Sequence, residues 1–105
     1  QGNTKIIEKK NREVTDVLGA SFEEIDQSLA EKLGIKGGVR VTKLQAGKLR
    51  EYTQIREGFI ITHVNGAEVN TIDQFVNILE NSDGGIMLEG VYENRAGKYY
   101  YAFGM

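Results

Sequence analysis

At 105 residues, with 40% hydrophobic and 27% charged side chains, the chain has the size of one globular domain, able to bury roughly 60–70% of the surface its unfolded form exposes. No apolar run approaches the ~20 residues of a membrane-spanning helix, which argues against membrane insertion. A net charge of -2 argues against a nucleic-acid binder, and the absence of cysteine excludes disulfides and thiol catalysis.

Residues 1–13 are polar and charged, with Ile6-Ile7 as a candidate short strand. Their basic excess (Lys5, Lys9, Lys10, Arg12) has no interleaved aromatics, so they read as a solvated linker or leader ahead of a domain at 14–105. A start at Gln1 with no signal-peptide pattern suggests an excised fragment or a processed product.

An extended stretch follows from Val17 to Ile25. Its glycine turn, Val17-Leu18-Gly19-Ala20, can aim consecutive backbone N–H groups at one point and so hold a carboxylate. The strand after it, Ser21-Phe22-Glu23, then offers an open edge to an extended peptide. Asp26 caps a short helix in which Leu29 and Leu33 share a face, and Gly34 stops it. Val39–Leu44 alternates as a half-buried strand, Ala46-Gly47 breaks it, and Leu49–Thr53 reads as one or two helical turns.

Gly58–Val69 is a hairpin turning on Asn65-Gly66. Thr71 and Gln74 form a capping box for a helix whose Phe75, Ile78 and Leu79 face the core, while Ile72 and Val76 line its border beside a groove. Two strands close the sheet, about Ile86–Glu93 and Lys98–Phe103, around an Asn94-Arg95-Ala96-Gly97 turn. Tyr99, Tyr101 and Phe103 alternate toward the core. Gly104 and Met105 read as a frayed tail or as an end that enters the groove of another copy.

Catalytic chemistry finds no constellation. His63 is the one histidine, without a partner for a metal site or a nucleophile pair. Ser21, Ser28 and Ser82 sit in no nucleophile elbow, and Glu23 and Glu24, adjacent on a strand, point to opposite faces. Gly37-Gly38 and Gly84-Gly85 lack the lysine of a phosphate loop. No catalytic residue, metal or cofactor is expected.

The order of these elements resembles a PDZ domain of the HtrA/Deg-type protease family. The best-matched parts are Leu29-Ala30-Glu31-Lys32-Leu33-Gly34-Ile35 with Gly38-Val39, and Gly58 through Val64-Asn65-Gly66 to Val69. Departures are Glu57-Gly58-Phe59 where the family has Pro-Gly-Asp, and Lys48-Leu49-Arg50-Glu51-Tyr52 in place of small residues.

The resemblance implies an α+β fold, a partly open β-barrel or sandwich of five to six strands capped by two to three helices. It makes Val17, Leu18, Gly19 and Ala20 the carboxylate-binding loop, Ser21, Phe22 and Glu23 the pairing strand, and Ile72, Val76 and Leu79 the pocket wall. It further implies a non-catalytic module, the last PDZ domain of a periplasmic serine protease. Such a module captures C-terminal peptides of substrates or partners and works beside the protease domain and another PDZ domain of the same chain. The alternative is an assembly domain whose groove contacts another domain or subunit, with protein contacts around Phe59 and Tyr52.

Overall fold

The computed structural model describes residues 14–105. The basic leader and the candidate strand at Ile6-Ile7 lie outside the described residues. The α+β expectation holds: six antiparallel strands form one open sheet, flanked by four helices among the described residues.

Helix α1 is described over residues 14–18 and runs into Gly19 at φ +73°. The sequence had suggested an extended stretch from Val17; instead Val17 and Leu18 are helical, and strand β1 is Ala20–Glu24. Val14 and Leu18 are buried, so burial of one helical face wins over the weak helix propensity of Val-Thr-Asp-Val. Helix α2 (Gln27–Leu33) starts as its sequence dictates: the Asp26 carboxylate accepts from the Leu29 N–H at 2.8 Å. It stops at Gly34, left-handed at φ +71°. Strand β2 (Val39–Leu44), helix α3 (Lys48–Tyr52) and strand β3 (Ile60–Val64) follow. Asn65 at φ 52° and Gly66 at φ 83° make the tight turn into the two-residue strand β4 (Ala67–Glu68).

Helix α4 (Ile72–Glu80) carries the expected capping box. Its Gln74 N–H donates to Thr71 Oγ1 at 3.1 Å, and the Thr71 N–H donates back to Gln74 Oε1 at 3.2 Å. Strands β5 (Gly85–Tyr92) and β6 (Arg95–Gly104) form the closing hairpin. Tyr92 pairs with Arg95, so the turn is Glu93-Asn94 and not the longer one expected. The tail is not frayed: Gly104 pairs with Gly85, and the Met105 N–H donates to the Gly84 carbonyl at 2.8 Å.

In space the strands run β1-β2-β3-β5-β6, with β4 paired to β3 off this path. One buried cluster joins α1, the inner faces of the strands and α4. Phe59, expected at the surface, is fully buried. Its ring lies 5.1 Å from that of Tyr92 and 5.0 Å, edge-on, from that of Tyr101, which removes it as a contact surface. Tyr101 turns inward as its alternation dictates, and burial together with its bond to the Tyr92 hydroxyl, 2.8 Å away, pushes its ionisation above the usual tyrosine range.

Candidate functional site: the β1 edge beside helix α4

The sheet order makes β1 a terminal strand. Which of its backbone groups are free follows from the bonds already made. The Gly19 carbonyl accepts from the Gln45 N–H at 2.7 Å, and the Ile25 N–H donates to the Gly38 carbonyl at 3.1 Å. Gly19 and Ile25 therefore face β2, and antiparallel alternation puts Ser21 and Glu23 on that side with them. The irregularity opposite Ser21 and Phe22 is taken up by β2, where Thr42 is the residue with no partner, so the alternation along β1 is unbroken. Ala20, Phe22 and Glu24 consequently turn their N–H and C=O groups toward the open side.

Helix α4 stands along this strand, tied to it at two points. The Glu24 carboxylate accepts from the Ile72 N–H at 2.9 Å, where the exposed donors of the helix N-terminus favour a negative charge. The Phe22 ring packs against Phe75 with centroids 5.0 Å apart. These contacts fix the width of the groove between strand and helix.

The sequence-predicted site residues separate into two groups. Leu18, Ala20, Val76 and Leu79 meet in the buried cluster, with Phe22 and Ile72 half-buried against it. Val17, Ser21 and Glu23 are exposed. Val76 was expected on the rim, but at 3% exposure it belongs to the core. The two β-branched residues, one turn apart, thus divide: Ile72 in the first turn remains accessible, while Val76 is covered. Nor does the glycine turn present a run of free donors. Leu18 lies within α1, and the Gly19 N–H donates to the Thr15 carbonyl at 2.8 Å, which leaves Ala20 as the donor of this segment aimed at the open edge.

Two contributors were missed in the sequence. Glu24 fastens α4 across 48 positions, a contact no local pattern announces. Gly47 read only as a strand breaker, yet a Cβ on it would sit 2.5 Å from the Gly19 Cα, and one on Gly19 would sit 2.7 Å from the Gly47 Cα. Two backbones cross here at a separation that admits no side chain, and this crossing sets where β1 begins.

Elsewhere the lone His63 forms a surface cluster: its Nδ1 lies 3.0 Å from Thr62 Oγ1 and 3.7 Å from Glu89 Oε2, and Lys98 reaches the same carboxylate at 3.6 Å. The Thr62 hydroxyl donates to the Glu89 carbonyl at 3.1 Å, and the same ring nitrogen faces both Thr62 and the Glu89 carboxylate, so no proton relay is laid out; no group of His, Cys, Asp and Glu that could hold a metal ion occurs among the described residues. No curated protein sequence matches the chain. A family model described as a PDZ-like domain matches residues 10–83, a span that takes in α1, the β1 edge and all of α4. The chain belongs to the PDZ-like domain family.

Proposed function

We propose that the domain is a peptide-binding module that takes the C-terminal segment of a partner protein by strand addition to β1. PDZ-like domains are protein-interaction modules and are generally non-catalytic. The observation that carries the reading is the alternation along β1. Ala20, Phe22 and Glu24 offer unpaired backbone groups beside a helix, which is the template an added strand needs. The Ala20 N–H meets the terminal carboxylate, Val17, Leu18 and Gly19 shape the turn around it, and Ser21 and Glu23 extend the pairing strand. Ile72, over Val76 and Leu79, meets the ligand's side chains.

In this reading the chain is a PDZ domain of a HtrA/Deg-type serine protease of the periplasm, with residues 1–13 as a linker. The matching order of motifs from Leu29 to Val69 supports it. Its ligands are then C termini of substrates or partners delivered to the protease domain. An assembly role is the second reading, favoured by one observation: the apolar wall at Val76 and Phe75 is already covered by the chain's own side chains, so the edge suits a segment of another subunit.

A hexapeptide ending in valine, prepared as free acid and as C-terminal amide, tests the carboxylate. The free acid is expected to bind with Kd on the order of 1–100 μM and the amide about tenfold more weakly, since one charge-assisted hydrogen bond separates them. Equal affinities would remove the carboxylate from the reading and favour assembly through an internal segment.

A further inference from the structure

The sheet has a second open edge, and its chemistry differs from that of β1. The Met105 N–H bonds to Gly84, and β6 pairs with β5 from Gly104 opposite Gly85 to Tyr99 opposite Gly90. The same alternation therefore turns the backbone groups of Tyr100 and Ala102 away from β5, toward the open side.

Helix α3 and the segment after it run beside this edge. A cleft of about 500 Å³ lies between Tyr52 and Tyr100, which are 61% and 57% exposed. A second cleft of about 650 Å³ is lined by Arg56 and Arg95. The two share Gln54 and Tyr101, so they form one trough, lined by Tyr52, Tyr100 and the Glu51 carboxylate at one end and by the two arginines at the other, where an acidic segment would place its carboxylates.

Both arginines lie at Tyr92, Arg56 through its backbone and Arg95 through its side chain. The Arg56 backbone N–H donates to the Tyr92 hydroxyl at 3.0 Å, and the Arg95 guanidinium lies 5.3 Å from the centroid of the Tyr92 ring. Neither forms an ion pair among the described residues, although the chain carries more acids than bases. Two guanidinium groups that line one cleft beside an open backbone edge, with no carboxylate partner among the described residues, suit an extended strand that brings its own carboxylates.

We propose that the α3–β6 trough binds a second peptide, an extended acidic segment that adds to β6 and places its carboxylates on Arg56 and Arg95. The open ladder groups favour a polypeptide over a nucleic acid, because they need a partner with alternating N–H and C=O groups.

The test uses the 105-residue chain and the hexapeptide Asp-Val-Glu-Tyr-Val-Thr, whose two carboxylates fall on one face of an extended strand, acetylated and amidated so that no terminus contributes. Saturable binding is expected, with amide NMR shifts at Tyr100 and Ala102 and none along β1. An Arg56→Gln, Arg95→Gln double variant, which alters only exposed side chains, is expected to keep its melting temperature and lose about tenfold in affinity or more. Unchanged affinity in that variant, shifts along β1 in place of β6, tighter binding of an oligothymidylate than of the peptide, or no binding at millimolar peptide would each overturn the proposal. The blocked ends and the β6 location keep this outcome separate from that of the β1 reading.

Discussion

Val76→Lys is expected to unfold the domain. Val76 lies within the buried cluster beside Phe75 and Leu79, so the substitution brings an ammonium and a longer stem into a close-packed site without an acidic partner. The cost is roughly 3–5 kcal/mol, a large part of the ~5–15 kcal/mol that holds a domain of this size together. Ile72→Lys, one turn earlier and half-exposed, lets the long side chain reach water, and the fold is expected to survive it. Urea denaturation followed by circular dichroism compares the two. A Val76→Lys variant as stable as Ile72→Lys would mean that the buried face of α4 is misassigned.

The second large effect is expected at the backbone crossing. In Gly19→Val a β-branched residue must adopt φ +73°, and its Cβ would fall 2.7 Å from both the Ala46 carbonyl carbon and the Gly47 Cα, backbone atoms that cannot swing aside. Strain and collision together are expected to cost roughly 3–5 kcal/mol. Gly58→Ala separates the two contributions. Gly58 has φ +96° but nothing within 4 Å of a built Cβ, so its replacement is expected to cost only about 1 kcal/mol. If both variants lost the same stability, close approach at the crossing would play no part.

How much of this was legible in the sequence depended on range. The caps of α2 and α4 and the Asn65-Gly66 turn are written within a few residues of where they act, and they formed as read. So did the inward alternation of Tyr99, Tyr101 and Phe103, where a two-residue period is enough to name the buried face. Helix α1 was not legible, because its residues have weak helical propensity and only burial of Val14 and Leu18 favours the helix. Phe59 read as a departure from a familiar turn; that its ring would meet Tyr92 and Tyr101 depends on strands brought together only by the sheet.

For the site, the edge strand and the flanking helix were anticipated, and their detailed roles were not. A pattern of apolar positions defined a broad face on α4 without saying where the cover ends, so Val76 was placed at the rim. The glycine turn suggested several donors, but α1 claims the Gly19 N–H. The Glu24 bond to Ile72 and the Gly19–Gly47 crossing are tertiary contacts between distant segments, each invisible from one side alone.

Backbone amide hydrogen exchange, measured residue by residue with and without saturating peptide, tests strand addition to β1 most directly. The geometry predicts an alternating response: Ala20, Phe22 and Glu24 exchange readily in the free domain and become protected on binding, whereas Ser21 and Glu23, already facing β2, change little. Protection that rises evenly along β1, or that leaves Ala20, Phe22 and Glu24 exchanging as in the free domain while the peptide is bound, would contradict strand addition at this edge.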